Sequence, residues 1–244
     1  MRVAAAQIEI TRNKEKNIER ALQYIKEAVK KGSKLVVLPE VFNTGFFPEN
    51  YDSIKNIKAE LERILDFSAG VDSVIIAGVA EKTNKKLYST AVVIYGGKIT
   101  GKYRKRRIFP LTDEIKYFSA GNESGIFETP FGRIGLMICY EIRFPEIARE
   151  LTFSDAVILI IPAQFPSERI EHWRILLKAR AIENQIFVTG ANCSGYGNSM
   201  IVNPWGEVLA EAGNGEELIV AEIDLRNLEE IREKYPFLKL QSNL

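Results

Sequence analysis

The chain predicts an α/β fold with mixed sheets, two sheets packed on each other and helices outside. Three observations predict it. Helical and strand patterns alternate near both ends, hairpin patterns fill the middle, and the strands outnumber what the few helices would cover on both faces of a single sheet. A hydrophobic fraction of 46% over 244 residues supplies a large core. No Gly/Ser/Pro-rich linker, repeat or low-complexity tract interrupts residues 1–244, so one domain is expected.

Val3–Ile8 reads as the first strand. Asn13 is placed as a helix N-cap, and Ile18, Ala21, Leu22, Ile25, Ala28 and Val29 then recur at helical spacing until Gly32. Lys34–Leu38 is an apolar run of strand length stopped by Pro39, which delivers Glu40 at its carboxyl end. Asp52 or Ser53 is expected to cap a second helix, with Ile54, Ile57, Leu61, Ile64 and Leu65 on its inner face. Ser73–Ala80 and Leu87–Tyr95 read as strands joined by a turn at Thr83–Lys86, and Gly96-Gly97 as a hairpin turn into Lys98–Tyr103.

A basic tract follows (Lys102, Arg104, Lys105, Arg106 and Arg107), ended by Ile108-Phe109-Pro110. Leu111–Glu123 reads as a long irregular loop, which in a compact domain is usually functional. Phe127–Thr129 and Arg133–Cys139 flank a Pro-Phe-Gly turn, and the second run is apolar enough to be a strand buried on both faces. Pro145–Leu151 suits a short helix with Pro at its first position. Ala156–Ile161 is another buried strand stopped by proline, at Pro162. Ser167 is expected to cap a helix running to Asn184, with Ile170, Trp173, Leu177 and Ala181 on one stripe. Ile186–Ala191, Ser199–Val202, Glu207–Ala212 and Leu218–Ile223 read as strands, and Leu225–Tyr235 as a closing helix.

Charge and cysteine usage exclude several classes. A net charge of +1 with a pI near 7.7 argues against a nucleic-acid protein. The N-terminus MRVAAAQIEI lacks the apolar core of a signal peptide, and no segment approaches ~18 uninterrupted apolar residues, so no membrane association is expected. Cys139 and Cys193, in no metal-like spacing, fit a cytoplasmic protein without disulfides or a metal site.

Cys139 at the carboxyl end of a strand lies where α/β folds place their chemistry, although a lone cysteine on an apolar strand also reads as a small buried hydrophobe. A cysteine nucleophile needs a base and donors for an oxyanion. The one histidine, His172, falls inside a helix beside Trp173 and reads more simply as a packing residue. A carboxylate serves if burial lifts its pKa, and Glu40 is the candidate. By composition alone Glu40 also fits a solvated loop and Lys105 a solvated or phosphate-binding stripe.

The motifs in order carry a resemblance. LPEVFNTGF (Leu38–Phe46), YRKRRIFP (Tyr103–Pro110) and CYEIRFPE (Cys139–Glu146) resemble three motifs of the nitrilase-related carbon–nitrogen hydrolases, most closely the ω-amidase-like branch. DEIKYFSAG (Asp113–Gly121), HWRILLKARAIENQ (His172–Gln185) and GNSMIVNPWGEV (Gly197–Val208) are similar to further family segments. Arg107 and Asn198 stand where many members have histidine, and the loop Cys193–Gly197 is short; these departures bear on substrate, not on chemistry.

The resemblance implies a four-layer α-β-β-α sandwich in which Glu40 acts as base, Lys105 as oxyanion stabiliser and Cys139 as nucleophile. Glu114 corresponds to a second glutamate beside the lysine, and the Tyr140 backbone N–H to an oxyanion donor. The implied reaction is hydrolysis of a small linear amide through a thioester, without metal or organic cofactor. Phe42 and Phe165 are expected to wall a narrow pocket, and Arg143 or Arg107 to hold a distal carboxylate. A homodimer or larger assembly is implied, through Pro145–Leu151 and the stretch after Leu225, with Phe237 and Leu238 in the contact. The same three residues would also serve a nitrilase or an N-carbamoyl amide hydrolase. From another class, the tract 102–107 would serve a nucleic-acid or phosphate-binding protein.

Overall fold

The computed structural model describes residues Met1–Gln241. The strands form two six-stranded sheets. The first has the order β12-β1-β2-β3-β4-β5, with β1 Arg2–Gln7, β2 Ser33–Val37, β3 Val74–Thr83, β4 Lys86–Tyr95, β5 Lys98–Arg104 and β12 Glu217–Glu222. The second has the order β11-β10-β9-β8-β7-β6, with β6 Ile126–Phe127, β7 Ile134–Leu136, β8 Ile158–Pro162, β9 Phe187–Ala191, β10 Met200–Val202 and β11 Val208–Glu211. Parallel pairs at the centre of each sheet (β1–β2–β3 and β7–β8–β9) give way to antiparallel pairs at the edges.

Strand periodicity explains the layering, because successive side chains point to opposite faces. On the first sheet Val3, Ala5, Leu35, Val37, Val74 and Ile76 enter the core between the sheets. The alternate residues Ala4, Ala6, Val36, Ile75 and Ala77 bury instead against α1 (Lys14–Lys30) and α2 (Ile57–Ser68). These strands are therefore apolar on both faces and read as continuous runs. On the second sheet, α4 (Pro145–Phe153) and α5 (Ile170–Asn184) cover the outer face with Ile147, Leu151, Trp173 and Leu177. Helices, two sheets and helices again form the expected four layers. α3 (Glu114–Tyr117) is a single turn within the expected long loop, and α6 (Leu225–Lys234) and α7 (Phe237–Gln241) follow β12.

Three local expectations are corrected. Asp52 and Ser53 end a 3-10 helix (Pro48–Ser53), and Asn56 caps α2 through a hydrogen bond from Ala59 N at 3.0 Å. Ser167 makes no cap: it opens a 3-10 turn, Ser167–Arg169, that leads into α5. Cys139 is not a strand residue. Strand β7 ends at Leu136, and Cys139 begins a 3-10 helix, Cys139–Arg143, with φ of +47°.

Candidate active site

Glu40 and Cys139 line one cavity, Lys105 is ion-paired to Glu40, and three different devices place the three residues. Glu40 follows β2 by way of Pro39, and its backbone is tied to the second sheet: Gln164 Nε2 donates to Glu40 O at 2.8 Å. The next residue, Val41, has φ of +39°, a conformation a β-branched residue adopts only under constraint. Gly78 on β3 makes the approach possible, since a Cβ there would lie 2.3 Å from Pro39 O and 2.7 Å from Glu40 Cα. Lys105 follows the edge strand β5 and is held at both backbone ends, its N–H donating to Ser89 O (2.9 Å) and its carbonyl accepting from Gly121 N (2.8 Å).

Cys139 sits on a turn fixed from behind by Glu141. That buried carboxylate accepts from Ile138 N at 2.7 Å, from Tyr103 Oη at 2.8 and 2.9 Å, and from Arg106 N at 2.7 Å. One side chain thus ties the cysteine turn to the basic tract that carries Lys105. Burial raises the Glu141 pKa, and these donors pull it back.

Lys105 Nζ lies 2.8 Å from Glu40 Oε1 and 2.7 Å from Glu114 Oε1, and all three side chains are essentially inaccessible. Ser89 Oγ donates to the same Glu40 Oε1 at 2.9 Å. The other oxygen, Glu40 Oε2, is buried without a hydrogen-bond partner among the described residues. An unpartnered buried carboxylate oxygen is costly and calls for an explanation, a catalytic role being one.

Burial pulls the Lys105 ammonium toward neutrality, but Glu40, Cys139 and Glu114 more than reverse this and keep it charged. Burial pushes Glu114 up, Lys105 pulls it back, and Glu40 pushes it up again. Burial and then Glu40 hold the Cys139 thiol well above its ordinary value despite Lys105. Cys139 is thus held as a thiol, and any reaction through its thiolate would require a base.

A cavity of about 370 Å³ opens onto Glu40, Glu114 and Cys139, and Tyr140, Phe165 and Arg143 are among its lining residues. The Tyr140 N–H lies in the first turn of its 3-10 helix, where amides lack intrahelical acceptors. Cys193 is buried as well, but does not line the cavity.

Several expectations are corrected here. Phe42 is buried in the core between the first sheet and α1–α2, because the turn through Val41 breaks the alternation that would set residues 40 and 42 on one face. Arg107 is exposed with its guanidinium on Phe144, outside the cavity lining. His172 is not a packing residue: it is exposed, and its Nδ1 lies 3.3 Å from Arg143 Nη2. Sequence reasoning missed Ser89, Glu141 and Gln164. It also missed the wall residues Phe46, Tyr51, Phe109 and Tyr117, which come from separate loops with no common motif.

The carbon-nitrogen hydrolase family model matches residues 2–233. The chain is 40% identical to a 2-oxoglutaramate amidase of Bacillus subtilis, over 96% of this chain and 95% of that one. It is 34% identical to human omega-amidase NIT2, over 98% and 94% of the two chains. Among solved structures, Saccharomyces cerevisiae Nit3, of branch 10 of the nitrilase superfamily, superposes with a TM-score of 0.89 at 30% identity, covering 97% and 94%. The chain belongs to the carbon-nitrogen hydrolase family and is a hydrolase of the amidase type.

Proposed function

We propose that the protein hydrolyses the terminal amide of short dicarboxylic monoamides, 2-oxo acid monoamides included, through a Cys139 thioester, the chain acting as one domain. The observation that carries the mechanism is Glu40. Its Oε1 is occupied by Lys105 and Ser89, and its buried Oε2 is free to take a proton. Glu40 Oε2 accepts the Cys139 proton as Sγ attacks the amide carbon. The oxyanion is stabilised by the Lys105 ammonium and the Tyr140 N–H. Collapse breaks the C–N bond, Glu40 returns its proton to the leaving ammonia, and a thioester remains. Water then loses a proton to Glu40 and attacks the thioester. The acid leaves, and Sγ recovers the proton. Glu114 holds Lys105 from its far side.

The substrate class is supported by the named activities of the amidase relatives and by Arg143 in the cavity wall, placed to hold the distal carboxylate. Phe165, against Trp173 with ring centroids 5.3 Å apart and beneath the Arg143 guanidinium, offers an apolar surface that supports a pocket for a short linear chain. The test is ammonia release at equal concentrations of succinamate, 2-oxoglutaramate, butyramide, an aliphatic nitrile and an N-carbamoyl amine. The two acids should react fastest, with a matching acyl adduct on Cys139 by intact mass. Fastest release from the nitrile, or release confined to the carbamoyl compound, overturns the substrate class.

The reading includes a cytoplasmic homodimer. Among the described residues no helix is long and apolar enough to cross a membrane. Phe153 on α4, Ile175 and Ile182 on α5, and Phe237 are exposed apolar side chains, as an interface through the cysteine-end helix and the C-terminal segment requires.

A further inference from the structure

The cavity is polarised by charge. At its base Glu40 and Glu114 share one cation, Lys105, so no cation there is left over for an incoming acid. The remaining acid in the lining, Asp113, pairs with Lys116 at 2.7 Å. Two arginines complete the set, and neither has an acidic partner among the described residues. Arg143 lies on the Phe165 ring at 5.3 Å, and its one side-chain polar contact among the described residues is His172 Nδ1. Arg169 lies on the Phe109 ring at 5.1 Å, and its guanidinium donates to no acceptor among the described residues.

Topology explains why the two arginines share one cavity. Arg143 ends the 3-10 turn that follows β7, and Arg169 ends the one that follows β8. Strands β7 and β8 are parallel neighbours, so both turns leave the same edge of the sheet. A guanidinium carries five donors in a rigid fork, and one such fork satisfies one carboxylate. A plain dicarboxylic monoamide needs only one arginine at its far end. A 2-oxo acid monoamide presents a third acceptor oxygen beside its carboxylate.

We infer that Arg169 is a specificity-determining residue that binds the 2-oxo oxygen while Arg143 takes the adjacent carboxylate, so that the pocket selects 2-oxo monoamides over their deoxo counterparts. The inference rests on the proposed amidase reading and names its preferred substrate. The base offers a carboxylate no unpaired cation, so the acid enters with its amide toward Cys139. The two forks then read what lies at the other end. A site that hydrogen-bonds a substrate oxygen discriminates against the analogue lacking it far better than an apolar wall does.

The experiment compares kcat/KM for 2-oxoglutaramate and glutaramate, which have the same length and differ only at the oxo group. Wild-type protein, Arg169→Gln, Arg169→Lys and Arg143→Gln are measured, with melting curves as the check on folding. Wild type should prefer the oxo compound at least tenfold. In Arg169→Gln the ratio should fall toward one, chiefly through KM. Arg169→Lys should recover part of it, and Arg143→Gln should weaken both acids. A ratio unchanged in Arg169→Gln overturns the inference and leaves the amidase reading standing. A wild type that hydrolyses butyramide faster than either acid overturns the inference together with the proposed dicarboxylic monoamide substrate class. The ratio is the readout because general damage lowers both rates together.

Discussion

Strand β5 and the residue after it carry two ion clusters built from the same groups in opposite proportion. In the first, Glu81 stands between two cations: Lys102 Nζ at 2.8 Å and Arg104 Nε at 2.9 Å, with Thr90 Oγ1 donating at 3.0 Å. In the second, Lys105 stands between two carboxylates, Glu40 at 2.8 Å and Glu114 at 2.7 Å. Burial pushes Glu81 up, but its two cations overcome this and bring it down to about 2. The lone cation of the second cluster cannot do the same for two acids, and Glu114 is left raised. Every Glu81 oxygen is occupied, whereas Glu40 Oε2 is not. The first cluster is a structural clamp at the sheet edge. The second holds excess negative charge in a dry place beside a thiol, which suits proton transfer and costs stability.

The sharpest way to break this contrast is to neutralise one acid in each cluster. Glu40→Gln keeps the shape and removes the base, so turnover should fall by roughly 10²–10⁴-fold and the acyl adduct on Cys139 should fail to form. Cys139→Ala should abolish turnover, and Cys193→Ala should keep it, because Cys193 does not line the cavity. Glu81→Gln should leave kcat near wild type. If steady-state assays show Glu81→Gln as damaged as Glu40→Gln, the division into clamp and catalytic cluster is wrong.

Stability should respond in the opposite sense. Glu81 has a folded pKa below its unfolded one, so its contribution is complete above the ordinary carboxylate value and is lost as pH falls toward about 2. With its partners part-exposed, that contribution is on the order of 2 kcal/mol, which corresponds to a fall in Tm of roughly 4–8 °C for Glu81→Gln at pH 7. Glu114 is displaced the other way. Its ionisation costs folding energy, and the cost grows as pH rises from the ordinary carboxylate range through the raised value. Glu114→Gln should therefore melt higher than wild type at pH 8, and the gap should close toward pH 4. Its activity should fall at least tenfold as Lys105 loses one of its two anchors. Melting curves from pH 3 to 8 check both signs, and a Glu114→Gln protein that melts lower at pH 8 would place Glu114 with the clamps.

The same contrast shows how far the sequence reveals such a site. Glu40 and Cys139 stood out as candidates because each ends or follows an apolar run, whereas Lys105, inside a basic tract, was singled out only by the resemblance of its motif to one family. The layers were legible because strands buried on both faces read as unbroken apolar stretches. What was not legible depends on backbone reversals and distant partners. The left-handed Val41 and Cys139 redirect the chain, so Phe42 leaves the site and Cys139 begins a turn instead of ending a strand. Glu141 stands inside the CYEIRFPE motif, and nothing local shows that its oxygens reach Tyr103 and Arg106. Glu114 was reached only through the resemblance and Glu81 not at all, since charge stoichiometry is a property of the folded neighbourhood.

The smallest effect is expected at His172, which tests whether the two-carboxylate cluster is the base at all. Arginine only donates, so the 3.3 Å contact with Arg143 Nη2 requires His172 Nδ1 to be an unprotonated acceptor. That contact steadies a guanidinium whose other neighbour is the Phe165 ring. His172→Ala should leave kcat nearly intact and raise KM for 2-oxoglutaramate about two- to tenfold, the range for losing one hydrogen bond to a charged donor at a partly solvated site. His172→Asn should recover part of the loss, because its Oδ1 lies close to where Nδ1 was and also accepts. Steady-state kinetics on the two variants separate the roles: an anchor for Arg143 moves KM, and a base moves kcat. If a folded His172→Ala is as inactive as Cys139→Ala, the proton goes to the imidazole, and Glu40, Lys105 and Glu114 become a second structural clamp like that of Glu81.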